Sequence, residues 1–259
     1  MSLNRSEQLV KEFLEGLGLL VEKLEPSGDH KTADFLATDR DAVQYLVEVE
    51  SQADDSSYWQ ELKEIGKVNR TDEVMRTNVA TRVVRHATKQ LRETVAPEHA
   101  FNLLAIVPAS DDPGTQASEF RSTLYGMMLL VPGESEGEQQ TMECLYFDYN
   151  EFYGMADVEG AMLFWESSCQ LCINTFAQRV DGFRSSALYQ QFDKEGGIFD
   201  PLALEGSGQA YIADIDLSRS DPEAILDYIT EKYSLSTRPI PIRLQQLRGE
   251  FRLDLHEGD

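Results

Sequence analysis

The spacing of hydrophobic and polar positions changes several times along the chain, and each period predicts a different element. Apolar side chains recur at helical spacing over 9–17, which indicates an amphipathic helix. A short strand is expected over 19–24. Alternating apolar and polar positions over 33–38 and 44–51, with a polar turn between them, predict an antiparallel hairpin. The chain is therefore expected to open as one helix followed by three strands.

Beyond the hairpin the pattern alternates between helices and strands. Residues 52–76 carry no clear period apart from a short helical pattern over 58–67, and 167–176 fit either a strand or a helix. The remaining predicted elements are helices over 77–95, 116–124 and 220–232, and strands over 101–107, 127–131, 142–149 and 162–165. Such an alternation is typical of an α/β protein.

Length and charge divide the chain into two parts. The 259 residues carry a net charge of −23. Residues 1–110 hold 13 basic and 19 acidic side chains, whereas 111–259 hold 10 and 27. We expect a mixed central sheet flanked by helices over 1–165, and an acidic α+β C-terminal extension over 166–259 that blocks a site, forms a homodimer or binds a protein partner.

Composition excludes several classes of protein. Hydrophobic residues make up 41% of the chain, too many for a disordered protein. The longest apolar run, 124–131, is far shorter than the roughly 18 residues of a membrane span, so no membrane association is expected. The first residues show no basic segment followed by an apolar one, and there are only three cysteines. Both features predict a cytoplasmic protein.

Three carboxylates of the predicted hairpin are candidates for chemistry. Because strand side chains alternate, Glu48 and Glu50 point to one side and Val47 and Val49 to the other. Asp34 lies on the preceding strand, so pairing of the two strands brings all three acids together. Carboxylates gathered in this way raise one another's pKa unless a cation neutralises them. Mg²⁺, or Mn²⁺ in its place, is the natural candidate because it prefers hard oxygen ligands.

The order of elements and three short segments resemble the PD-(D/E)XK nuclease superfamily, which has a restriction-endonuclease-like fold. The segments are TADFLAT, YLVEVES and VVRHATKQLRE, and the resemblance covers residues 5–110. It implies a Mg²⁺-dependent endonuclease acting on DNA, in which Asp34 and Glu48 hold the metal ion. Ala33 replaces the usual Pro, and Glu50 replaces the usual Lys.

Glu50 leaves three interpretations open. It acts as a further metal ligand or as the base, as in superfamily members with an ExE motif. Alternatively, Lys31, Lys89 or the polar Gln90 supplies the missing function from another position. In the third interpretation the site is inactive and the fold serves as a binding or assembly module. Glu7 is either a fourth metal ligand or only the residue that completes a capping box with Asn4.

The predicted helix over 77–95 carries a cationic stripe. Arg82, Arg85, Lys89 and Arg92 fall within an arc of about 80°. The local net charge over 63–92 is +5, so a polyanion such as DNA would approach here. The stripe is either a contact surface for the phosphate backbone or an ordinary solvent-facing surface.

Two other polar residues of this helix are expected to have different roles. Gln90 borders the apolar side and is expected to point to the carboxylates. His86, like His30, is expected to be a polar surface or loop residue.

Overall fold

The computed structural model describes residues 3–25, 32–53, 78–95, 97, 99–110, 112–131 and 141–242. Its helices are α1 (Arg5–Gly16), α2 (Asn78–Glu93), α3 (Pro113–Tyr125), α4 (Val180–Arg184), α5 (Ala187–Lys194), α6 (Pro201–Gly206) and α7 (Pro222–Lys232). Its strands are β1 (Leu20–Lys23), β2 (Phe35–Thr38), β3 (Gln44–Ala53), β4 (Phe101–Ala109), β5 (Met128–Val131), β6 (Met142–Leu145), β7 (Gly160–Trp165), β8 (Ser168–Ile173), β9 (Ile198–Phe199), β10 (Ala210–Ile212) and β11 (Ile240–Ile242). The helical pattern over 58–67 and the candidate Lys31 lie outside the described residues.

A mixed sheet of seven strands forms the centre, in the order β1-β2-β3-β4-β7-β8-β9. β1, β2 and β3 are antiparallel neighbours, whereas β3, β4 and β7 are parallel. β4 lies in the middle with helices on both faces, which explains why its sequence is continuously apolar rather than alternating. The predicted α/β class, with a mixed sheet flanked by helices, is confirmed.

Each face of this sheet has its own core. One face is covered by α1, α4 and α5, which contribute Leu14, Phe183 and Phe192 to a buried cluster with Phe35 and Val47. The other face is covered by α2 and α3. That second core also includes buried residues of a four-stranded sheet in the order β10-β6-β5-β11. The second sheet therefore packs on the α2 and α3 side.

The β2–β3 hairpin has the predicted geometry. Phe35 pairs with Val47, and both belong to the core beneath α1. Leu46 belongs to the core beneath α2, so alternation turns Glu48 and Glu50 toward α2. In the turn, the buried Asp39 accepts hydrogen bonds from the backbone and from the Tyr45 hydroxyl. The turn and the two cores together fix the register of the hairpin.

Two strands differ from their predicted extents or type. β6 ends at Leu145 rather than at 149, because Tyr146 adopts a left-handed conformation with φ 62°. Its amide then bonds to the Tyr125 carbonyl at the end of α3, at 2.7 Å. Residues 168–173, left open between strand and helix, form β8.

The division at residue 165 stays a prediction. β7 and β8 form an antiparallel hairpin across it, and β9 adds to β8. Strands from both sides of the predicted boundary thus share the central sheet. Within the described residues, no helix combines the length and the apolarity needed to cross a bilayer.

The start of α1 offers a stability test. Asn4 Oδ1 accepts a hydrogen bond from the Glu7 amide at 2.9 Å, and the Glu7 carboxylate accepts from the Asn4 amide, so the predicted capping box is confirmed. Asn4→Ala is expected to lower the free energy of unfolding by about 1 kcal/mol, because the Glu7 amide loses its partner. Asn4→Asp retains the cap and serves as the control. Equal urea midpoints for the wild type and Asn4→Ala would contradict this expectation.

Candidate functional site

The predicted acidic residues lie directly before β2, at Asp34, and in the middle of β3, at Glu48 and Glu50. The Asp34 amide donates to the Val47 carbonyl at 3.1 Å, which continues the hairpin by one residue. Asp34 Oδ2 then accepts from the Val49 amide at 2.9 Å. The Asp34 carboxylate is thereby fixed against the segment of β3 that carries Glu48 and Glu50.

Glu48 is the buried centre of this group. Its residue surface is only 2% exposed, and its Oε1 accepts a hydrogen bond from Gln90 Nε2. Its Oε2 is buried without a hydrogen-bond partner among the described residues. Burial, followed by the neighbouring charges of Asp34 and Glu50, raises the pKa of Glu48 to about 9, although the charge of Lys23 lowers it. Among the described residues, no cation forms an ion pair with this carboxyl group.

Gln90 reaches the site from α2, as its place on the helix predicted. Its Nε2 donates to Glu48 and lies 3.5 Å from Glu50 Oε1. Glu50 also lies 2.5 Å, Oε1 to Nδ1, from His86, one helical turn before Gln90. The expectation that His86 is only a surface residue was incomplete, because its half-exposed ring contacts a site carboxylate.

Lys23 is the cation that the sequence reasoning missed. Its Nζ forms an ion pair with Asp34 Oδ1 and lies 3.3 Å from Glu7 Oε2. The ammonium group also lies 5.0 Å from the centre of the Phe35 ring. Its place follows from strand pairing rather than from a sequence signal, because β1 runs antiparallel to β2 and Lys23 pairs with Phe35, the neighbour of Asp34.

Within the part of the chain that the structure describes, Lys23 is the link between Glu7 and the site. Glu7 Oε1 accepts from the Asn4 side chain at 2.8 Å, and its Oε2 contacts the Asn4 amide and Lys23. Glu7 thus caps α1 and neutralises Lys23 in this arrangement. Its predicted role as a metal ligand stays a prediction.

The cationic stripe of α2 is partly occupied by acids of the chain itself. Arg85 Nε donates to Glu151 at 2.8 Å, and Arg92 donates to both oxygens of Asp157 at 2.6 and 2.7 Å. The hydrogen bonds from Arg92 lower the pKa of Asp157 below its ordinary value. Two of the four predicted nucleic-acid contacts therefore attach α2 to the segment that follows β6.

The other two cations of the stripe, Lys89 and Arg82, are exposed on α2. The Lys89 side chain is 71% exposed and pairs with Glu93 at 3.6 Å, and Arg82 is also exposed. The structure brings together Asp34, Glu48, Glu50 and Gln90 and adds Lys23. It leaves Lys89 outside this group.

The carboxylate oxygens of Asp34, Glu48 and Glu50 are of the kind that binds a small divalent cation. Across the described part of the chain, no group of three or more His, Cys, Asp or Glu side chains is arranged to hold a metal ion. Gln90 donates a hydrogen bond to Glu48, and Lys23 pairs with Asp34. A bound cation would replace these contacts. The unpartnered Glu48 Oε2 and the excess of carboxylates fit Mg²⁺, which needs only one or two protein carboxylates beside water.

Comparisons of the chain with protein-family models, with curated proteins and with solved structures find no match.

Proposed function

We propose that this protein is a Mg²⁺- or Mn²⁺-dependent phosphodiesterase acting on DNA, with a restriction-endonuclease-like core. The observation that carries the proposal is the buried, unpartnered Oε2 of Glu48 beside Asp34 and Glu50. A buried carboxylate in this environment costs free energy, and either a proton or a bound cation relieves that cost. The order of helix, hairpin, helix and strand around it supports the resemblance stated for residues 5–110.

Asp34 and Glu48 would hold the metal ion. Bound there, a divalent cation polarises a phosphodiester and lowers the pKa of an attacking water. Glu50 would accept the proton of that water, because His86 and Gln90 hold its carboxylate in place. Lys23 would supply the positive charge that the superfamily places at the position of Glu50, and it keeps Asp34 oriented.

The acidic surface limits where DNA would bind. All four cations of the α2 stripe are exposed, but Arg85 and Arg92 would have to exchange Glu151 and Asp157 for phosphate oxygens. Binding is therefore expected to be weak and strongly dependent on salt.

A second function is favoured by these same ion pairs. If Arg85 and Arg92 keep their carboxylate partners, the cationic stripe serves to attach α2 to the rest of the protein. The site would then be inactive, and the fold would act as a binding or assembly module.

Plasmid cleavage separates the two functions. Purified protein is incubated with supercoiled plasmid in Mg²⁺, in Mn²⁺ or in EDTA, and nicked and linear products are quantified on a gel. We expect cleavage by the wild type only with metal ion, and none by Glu48→Ala. Glu22→Ala, which replaces an exposed glutamate of β1, is the matched control and should retain activity. Equal products from wild type and Glu48→Ala, or none from either, would rule out the enzyme.

A further inference from the structure

A separate cavity lies between the first half of α3 and the β7–β8 hairpin. Its volume is about 270 Å³, and Arg121, Trp165 and Gln170 are among the residues that line it. Gln170 is linked to Glu50 by strand pairing through Leu163 and Ile106, so the two positions are three strands apart, about 14 Å. The cavity is therefore distinct from the carboxylate group beneath α2.

In the part of the chain that the structure describes, Arg121 lacks the carboxylate partner that several other arginines of this acidic chain have. Arg179, Arg184 and Arg238 each pair with a carboxylate, as do Arg85 and Arg92. No carboxylate in the described residues forms an ion pair with Arg121. Its Nε is buried and unpartnered there, while Nη1 donates to Gln170 Oε1 at 3.2 Å. A partly buried cation without a counter-charge indicates that an anion belongs beside it.

The other residues that line the cavity favour an anion that carries a flat apolar group. Gly114, Ala117 and Ser118 present only small side chains from α3, so this wall of the cavity leaves room for a ligand. Trp165 offers an indole for stacking. The guanidinium of Arg121 already lies 5.1 Å from the centre of the Phe199 ring, which holds its plane.

The volume and the charge of the cavity restrict the class of ligand further. The cavity is at the lower end of small-molecule sites, which span about 300–1,000 Å³. One guanidinium suits one negative charge, and the remaining lining side chains carry no charge. We propose that this cavity binds a small aromatic carboxylate, with its carboxylate on Arg121 and its ring against Trp165. The proposal does not depend on the phosphodiesterase activity.

Tryptophan fluorescence tests this proposal directly. The chain has two tryptophans, so Trp59→Phe leaves Trp165 as the only one. Full-length protein in that background is titrated with benzoate, and calorimetry repeats the titration on the wild type. We expect a saturable change in Trp165 emission with a dissociation constant below about 1 mM.

Two variants and three probes make the result specific. Arg121→Gln should weaken benzoate binding at least about tenfold, and Ser118→Leu, which fills the cavity, should abolish it. Arg82→Gln, at an exposed arginine of α2, is the matched control and should bind as the wild type does. Benzyl alcohol lacks the carboxylate, acetate lacks the ring and inorganic phosphate lacks both, so all three should bind more weakly than benzoate.

Several outcomes would overturn the proposal. They are the absence of benzoate binding up to about 10 mM, equal affinity for benzyl alcohol or phosphate, and unchanged affinity in Ser118→Leu. Ser118→Leu keeps the test decisive if Arg121→Gln does not fold.

Discussion

Glu48→Gln is expected to stabilise the metal-free protein at neutral pH and to remove part of its pH dependence. In the folded chain the pKa of Glu48 is raised to about 9, chiefly by burial, from an ordinary value of 4.5. Folding at pH 7 therefore takes up a proton, and stability falls as the pH rises from 4.5 to 9. The loss is about 1.4 kcal/mol per pH unit in that window, so the variant should be more stable by about 3 kcal/mol at pH 7.

Urea denaturation from pH 4 to pH 9 measures this difference. The curves of the wild type and Glu48→Gln should meet near pH 4.5 and diverge above it. Glu22→Gln, at an exposed position of β1, is the control for a general effect of removing one negative charge. Parallel curves for the wild type and Glu48→Gln would show that Glu48 titrates normally, and the case for a cation-demanding site would weaken with it.

Metal ion should reverse the order of stability. A divalent cation replaces the proton on Glu48, so added Mn²⁺ should stabilise the wild type more as the pH rises. It should not stabilise Glu48→Gln. Stabilisation of both proteins to the same extent would place the ion elsewhere.

The sequence was sufficient to predict the hairpin and the side to which its acids point. Alternation places Val47 in one core and Glu48 in the other, and a shift of register by one residue would bury Glu48 in the apolar core beneath α1. Gln90 was predicted for a similar reason, because a residue at the edge of the apolar side of α2 lies over the sheet on which α2 packs. Both predictions depend on local periods that the fold preserves.

The sequence could not show which charges neutralise one another. Arg85 and Glu151 are 66 positions apart, and Arg92 and Asp157 are 65 apart. A helical pattern identifies a polar side but does not tell whether water or another segment of chain covers it. The cationic stripe was therefore interpreted as open, although two of its four members pair with acids of a distant segment of the chain.

Local periodicity also could not place Lys23 and His86 beside the site carboxylates. Lys23 lies at the end of a four-residue edge strand, where periodicity is too short to assign a side. Its contact with Asp34 requires the antiparallel pairing of β1 with β2 and the placement of α1 above them. The substitution of Lys by Glu at position 50 was visible in the sequence, but its compensation by a lysine 27 residues earlier was visible only in the fold.

Lys23→Met is expected to reduce metal-dependent cleavage about 100-fold, while Lys89→Met, which removes one contact to the phosphate backbone, reduces it far less. Lys23 is the described cation that pairs with Asp34, and its removal leaves Glu7 and Asp34 without that partner. Methionine keeps the apolar stem that lies over Phe35, so the loss would reflect charge rather than packing. Lys89 is the matched control because it is also a lysine paired with a glutamate, but on the exposed side of α2.

Stability measurements distinguish a role in the reaction from a role in folding. Removing one partner from this partly buried group should cost about 2 kcal/mol in the absence of metal ion. Added Mn²⁺ should recover most of that stability, because a cation bound by Asp34 and Glu48 replaces the missing positive charge. Cleavage should remain low after this recovery, since the ammonium group that contacts Asp34 is still absent. Full recovery of cleavage with stability would show that Lys23 serves only to neutralise its acidic neighbours.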